Sequence, residues 1–214
     1  MSPEDLAARH PRLYHQTAPE AWPLIQAHGL LPAAALVSRA GADLRALTRT
    51  RRPAGVRLEA DFGTVEINDN VPLSERALER CLMDGLSPAD WCAMLAARVF
   101  FWTESRHLAR LQGARTNRDR PRLVLEIDTL SFARAHRDRI ELSPINSGST
   151  IRKPARRGLH TFAPMRDFAD YRDWSEQRQR LGLKRTRDTV KEVVVPGPVL
   201  DVAAHVRAVS RVEP

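Results

Sequence analysis

The 214-residue chain carries 34 Lys+Arg against 26 Asp+Glu, a formal net charge of +8, with 43% hydrophobic and 28% charged residues. That length and balance suit a globular protein of one domain, read here as residues 1–214, with enough chain to bury a core. No apolar run nears the ~18 residues of a membrane span, the start Met1-Ser2-Pro3-Glu4 lacks the basic-then-apolar order of a secretory signal, and Cys81 and Cys92 are too few for a disulfide framework or a Cys-built zinc site, so the expectation is a cytoplasmic protein without a membrane partner or a metal.

The first element predicted is a strand at 12–17, Arg-Leu-Tyr-His-Gln-Thr, which mixes aromatic and β-favouring residues. Ala18-Pro19-Glu20 then opens a helix, since Pro suits the first turn and Glu complements the dipole there. Trp22, Leu24, Ile25 and His28 keep helical spacing, and Gly29 is a natural C-cap. Residues 33–47 suggest a second helix with Leu36, Val37, Leu44 and Leu47 inward. The stretch 49–72 reads as a long loop with short strands at Val56–Leu58 and Thr64–Ile67.

Residues 73–95 look helical in two pieces, separated at Asp84-Gly85, with Ser87 capping the second. Strands follow at 98–103 and 122–128, the latter alternating apolar and polar residues as a half-buried strand does. Between them, Glu104 and Ser105 lead into a helix carrying Leu108 and Leu111. A helix over 129–137 and a short strand at 139–142 come next. Turn residues dominate 143–170, and a stretch of that length inside a compact chain is usually functional or disordered. Residues 171–181 read as a very polar helix, 191–196 as the last strong strand, and 206–209 as a further short one. Helices come early and strands mostly late, so the class is α+β rather than a βαβ alternation.

No Gly-rich phosphate loop, no paired metal-binding histidines and no Gly-x-Ser-x-Gly elbow is present. The informative residues are polar groups set within apolar strands. His15 interrupts the first strand, where a lone histidine is usually a satisfied core residue or a solvent-facing one. Glu192 opens Glu-Val-Val-Val, the most apolar strand of the chain, and a carboxylate there costs desolvation unless it sits at the sheet end or faces a cleft. Phe100-Phe101-Trp102 is a bulky triplet of the kind that fills cores.

Taken in order, these segments resemble the ADP-ribosyltransferase superfamily, and within it the DarT-type enzymes that modify DNA bases. Leu13-Tyr14-His15-Gln16-Thr17 with the helix ending His28-Gly29-Leu30 is similar to that family's opening strand and helix. Val99-Phe100-Phe101-Trp102 resembles its second nicotinamide-facing strand. The polar turn Ile140-Glu141-Leu142-Ser143-Pro144-Ile145-Asn146-Ser147-Gly148 is similar to the segment after its central strand. Lys191-Glu192-Val193-Val194-Val195-Pro196 resembles the strand that bears its catalytic glutamate.

The resemblance implies a single-domain fold of two small packed β-sheets around an NAD cleft with flanking helices. It implies NAD as co-substrate, no metal, and transfer of ADP-ribose to a nucleic-acid base with release of nicotinamide. DNA, single-stranded or flipped, is the implied acceptor, and a toxin-like activity held in check by an antitoxin or an ADP-ribose hydrolase follows. Glu192 takes the catalytic place, joined by an arginine from 49–57, with Arg57 ranked ahead of Arg51. Tyr14, His15, Gln16, Thr17, Phe100, Phe101 and Ser105 are implied around NAD. An RNA 2′-phosphotransferase, a non-catalytic nucleic-acid-binding module and a protein-modifying transferase stand as alternatives.

The charge distribution bears on the acceptor. Residues 98–187 net +11 while the rest of the chain nets −3. The target-facing loop is expected at 143–190, where Asn146, Arg152, Lys153, Arg156, Arg157 and Trp174 are the nucleic-acid candidates. Arginine forks grip phosphates, and an indole stacks on an unpaired base.

Overall fold

The computed structural model describes residues 1–105, 120–151, 154–180 and 190–213. The strands are β1 (Arg12–Thr17), β2 (Val56–Ala60), β3 (Gly63–Ile67), β4 (Arg98–Trp102), β5 (Arg122–Asp128), β6 (Glu141–Ser143), β7 (Ala163–Pro164), β8 (Glu192–Pro196) and β9 (Val206–Val212). Seven of them form an antiparallel sheet in the order β7-β6-β8-β4-β1-β5-β9, and β2 with β3 makes a separate hairpin. The class is α+β, but in place of the two small packed sheets expected from the resemblance there are one seven-stranded sheet and one hairpin.

Helices α1 (Pro3–Arg9), α2 (Trp22–His28), α3 (Ala33–Arg39), α4 (Leu44–Thr48), α5 (Glu75–Cys81) and α6 (Pro88–Ala96) precede most of the sheet. Helices α7 (Thr129–Ala135) and α8 (Tyr171–Arg180) follow β5 and β7. Helix α1 starts in a capping box, in which the Asp5 N–H donates to Ser2 Oγ at 3.1 Å and the Ser2 N–H to Asp5 Oδ2 at 2.9 Å. Ser87 and Asp90 repeat that device at the start of α6. The single helix expected over 33–47 is instead two, because Gly41 takes φ +61° and Asp43 restarts the helix by accepting from the Ala46 N–H at 3.0 Å.

Alternation along the strands sorts the sheet into two faces. One buries Leu13, Phe101, Leu125, Ile127, Val193 and Val195 against Leu6 of α1, Ile25 of α2, Phe132 of α7 and Trp174 of α8. On the other face, Val194 and Phe100 meet a smaller cluster of Leu78, Cys81, Trp91, Cys92 and Phe162 supplied chiefly by α5 and α6. The β2–β3 hairpin packs its own Leu58 and Ile67 on Val37 of α3. It thus stands as a wall beside the sheet rather than as part of it.

Helix α8 is polar in composition yet turns Trp174, Ser175 and Arg178 inward. Trp174, 1% exposed, is a core residue worth about 1.5–3 kcal/mol of burial and offers no face to a base. The expected helix with Leu108 and Leu111 falls outside the described residues, as do Arg152 and Lys153.

One junction matters for the site. Strand β1 pairs with β5 over six residues, but with β4 only at Tyr14↔Trp102. Beyond that pair the strands part, and the His15 ring spans the gap with Nδ1 2.9 Å from the Phe100 carbonyl oxygen. A side chain here does the work of a missing ladder bond. Gly29 closes the adjoining corner. Its φ of +77° and ψ of −179° lie in a region only glycine enters readily, and a Cβ would come within 2.4 Å of the Leu200 Cα.

Candidate functional site

The cross-strand register puts Ser143, Glu192, Trp102 and Tyr14 in one row, side chains on the face opposite the main core. Glu192 is the first residue of β8, at the end of the row where α6 and the turn after β6 close over it. It is 3% exposed. Its Oε1 accepts the Ser147 N–H at 3.1 Å, while Oε2 is buried with no hydrogen-bond partner among the described residues. Burial pushes the Glu192 carboxyl up to about 7, against the pull of the Ser143 and Ser147 groups and the Arg157 charge. A group so placed changes its proton near neutrality.

The turn that holds Glu192 is itself held. Arg157, 2% exposed, donates to the carbonyls of Ser147 and Ser149, each at 3.0 Å, and of Ala155 at 3.1 Å. Trp91 Nε1 adds a second donor to the Ser147 carbonyl at 3.3 Å. Arg157 is therefore no phosphate contact on a surface loop, as the sequence suggested; its fork is spent on three carbonyls. Arg156 next to it is exposed.

Glu192 lines a cavity of about 570 Å³ with Trp102, Phe100, Asn146, Arg52, Arg122 and Lys191 among its walls. His15 lines a second, of about 430 Å³, between β1, α2, α3 and the β2–β3 hairpin. Gln16, Ala33, Asn68, Arg98 and Phe100 border both, so the two cavities form one cleft with two lobes. Each lobe falls within the ~300–1,000 Å³ range of small-molecule sites. Gln16 Oε1, at the shared border, is buried without a hydrogen-bond partner among the described residues.

His15 sits on the core side of β1, its ring 5.8 Å from that of Phe101. The Phe100 carbonyl can only accept, so Nδ1 carries the proton and Nε2 of the neutral ring is an acceptor. Burial lowers its pKa, which keeps it neutral. His15 and Glu192 are thus on opposite faces of the sheet, joined through the place where β1 and β4 part.

The other sequence candidates divide. Gln16 and Phe100 border both lobes, Thr17 and Arg57 line the His15 lobe, and Asn146 lines the Glu192 lobe. Phe101 is fully buried in the core and offers no stacking face. Tyr14 and Ser105 line neither lobe; Trp102, one register position across from Tyr14, takes the place expected of it. Arg51 donates to the Leu73 and Val71 carbonyls at 2.9 and 3.3 Å and lines neither lobe. Arg49 pairs with Asp90 at 2.6 Å.

Sequence reasoning ranked Arg57 and Arg51 above Arg52, yet Arg52 is the arginine of that stretch in the Glu192 lobe. Its guanidinium is tied to the Asn68 carbonyl at 3.0 Å and to the Leu47 carbonyl. Arg98 was read only as a strand residue. It borders both lobes and is fixed by Glu141 at 2.7 Å and by the Met94 carbonyl at 2.8 Å. Its parity with Phe100 and Trp102 was the signal that placed it on this face.

No helix among the described residues is long and apolar enough to cross a membrane. No curated protein matches the chain. A family model matches residues 11–206, a span that runs from just before β1 to the start of β9 and holds both lobes. The chain belongs to that family, described as a family of unknown function, DUF7002.

Proposed function

We propose that the protein is an NAD-dependent mono-ADP-ribosyltransferase that modifies a nucleic-acid base, DNA before RNA. The observation that carries this reading is Glu192. It is a carboxylate 3% exposed, with one oxygen held by a main-chain N–H and the other without a hydrogen-bond partner among the described residues, at the wall of a two-lobed cleft. A long ligand with two ring systems joined by a charged middle fits two lobes joined at Gln16, Arg98 and Phe100.

Bound NAD supplies a glycosidic bond that breaks with positive charge developing on its ribose. Glu192, ionised, favours that charge more in the transition state than in the ground state. The Ser147 N–H keeps Oε1 in place, leaving Oε2 to accept from a hydroxyl or to take a proton from the acceptor. Trp102 and Phe100 offer ring faces in the Glu192 lobe. His15 Nε2 is the acceptor for a hydroxyl in the other lobe, and the Arg98–Glu141 pair stands at the border.

On the acceptor side, Asn146 and the exposed Arg156 remain as contacts; Trp174 and Arg157 do not. A toxin-like activity with an antitoxin or a hydrolase to oppose it belongs to the same reading.

The test is incubation of the chain with labelled NAD and with single-stranded DNA, duplex DNA, RNA or protein. Mass spectrometry then looks for one added ADP-ribose. Glu192→Gln is expected to lower the rate by about 10²–10³-fold. No NAD cleavage with any acceptor overturns the proposal.

One observation favours a second reading. Arg52 and Arg122 border the Glu192 lobe, a charge supply that suits a phosphate on the ligand as well as a pyrophosphate. An RNA 2′-phosphotransferase would use those arginines and dispense with the carboxylate. Transfer of phosphate from RNA that survives Glu192→Ala is its signature.

A further inference from the structure

Away from the cleft, three side chains distant in sequence meet between α7 and the 3₁₀ turn Val202–His205 that links β8 to β9. His136 follows the last residue of α7, Asp201 precedes the turn, and His205 ends it. None of the three lines either lobe.

Both imidazoles direct Nε2 at the same carboxylate, but at different oxygens. His136 Nε2 is 2.9 Å from Asp201 Oδ1, and His205 Nε2 is 3.3 Å from Asp201 Oδ2. The three ligand atoms lie within 4.8 Å of one another. Donors on a tetrahedral zinc, at ~2.0–2.1 Å from the ion, stand roughly 3.3 Å apart.

Two details favour an ion over a simple charge relay. His136 presents its Nε2 from a buried position, 2.9 Å from the carboxylate. His205 is fixed from behind: its Nδ1 lies 3.0 Å from Ser131 Oγ, which sets the ring so that Nε2 faces inward. Such outer partners orient histidine ligands and set their basicity. The Phe132 ring, 4.7 Å from His136 and 5.7 Å from His205, supplies an apolar backing.

We propose that His136, Asp201 and His205 form a binding site for a divalent transition ion of the zinc type. Two imidazoles and one carboxylate suit Zn²⁺ and its neighbours and do not suit Mg²⁺ or Ca²⁺, which take oxygen ligands. Three protein donors leave a coordination position for water. The ion would tie the end of α7 to the β8–β9 connection, a structural staple independent of the reading given to the cleft.

The test uses the untagged full chain, freed of metal by a chelator and dialysed against Zn²⁺, with Co²⁺ as a spectroscopic probe. The expected result is one Zn²⁺ per chain and the visible absorption of tetrahedral Co²⁺. Each of His136→Gln and His205→Gln is expected to weaken binding at least tenfold, and Ser131→Ala by about 10-fold through the orientation of His205. Asp201→Asn, exposed and near-isosteric, keeps the test valid if a histidine variant fails to fold. Less than one ion per chain in the unaltered protein overturns the proposal. So does binding that is unchanged in His205→Gln and Asp201→Asn, which would place the ion on other histidines.

Discussion

At Glu192, position in the sequence and position in the fold agree. A charged residue opening an otherwise apolar strand is a local inconsistency, and such inconsistencies mark sites. Its raised pKa has two consequences of opposite sign. The unfolded carboxyl titrates near 4.5 and the folded one near 7, so the folded state holds its proton more tightly. The contribution to stability is complete below 4.5 and is lost as pH rises through 7, on the order of 3 kcal/mol. Glu192→Gln is therefore expected to raise the melting temperature at pH 8 and to leave it little changed at pH 4. Catalysis runs the other way. A reaction that needs the carboxylate gains rate as pH rises through about 7, and Glu192→Gln removes both the rate and that limb. Thermal melts and rate profiles on the same two proteins check both signs.

Other residues were legible only by type. The triplet Phe100-Phe101-Trp102 announces a buried strand, but alternation leaves open which parity faces the core until neighbouring strands are in place. Pairing with Val193 sends Phe101 inward, and the same register sends Phe100 and Trp102 to the cleft. Trp174 and Arg157 were misread for a different reason. In polar segments, composition does not report which few residues turn inward, and both are fixed by contacts far along the chain.

Among elements, the turn after β6 controls the site. Its Ser147 peptide gives its N–H to Glu192 and takes Arg157 and Trp91 on its carbonyl. Arg157 is thereby a positioning residue, and its charge also draws the Glu192 pKa down. Arg157→Ala should lower kcat/KM by at least tenfold and move the acid limb of the rate profile to higher pH. Arg157→Lys, which keeps charge but not the fork, should keep the limb near its place with only part of the rate. A loss that scales the whole profile without shifting it would mean that Arg157 only packs. The capping box at Ser2 and Asp5 was a sequence signal in plain view, and α1 could have been read from it. The break between α3 and α4 was signalled likewise by Gly41 and Asp43.

Over the whole molecule, the order of strands and helices followed from hydrophobic pattern, while the joining of strands into one sheet did not. Non-local pairing is written in contacts between residues such as Tyr14 and Trp102, 88 positions apart, and no local window contains it. The convergence of His136 with Asp201 and His205 escaped the sequence on the same ground. Charge, by contrast, is a property of the whole chain. With +11 in 98–187, binding of a nucleic-acid acceptor is expected to weaken steeply with salt. Titration of an oligonucleotide at two ionic strengths measures the slope, and a flat response would separate the positive charge from acceptor binding.

The parting of β1 from β4 also sets how the sheet yields. A continuous ladder resists bending because every bond must deform together, whereas these strands share one pairing and a histidine ring. The sheet is in effect two plates, β7-β6-β8-β4 and β1-β5-β9, hinged at Tyr14 and latched at His15. A ligand filling both lobes would brace the hinge, and amide exchange at Gln16, Thr17, Val99 and Phe100 should slow on binding. His15→Ala, which removes the latch, should speed exchange at those amides in the free protein while leaving β5 and β9 as they were.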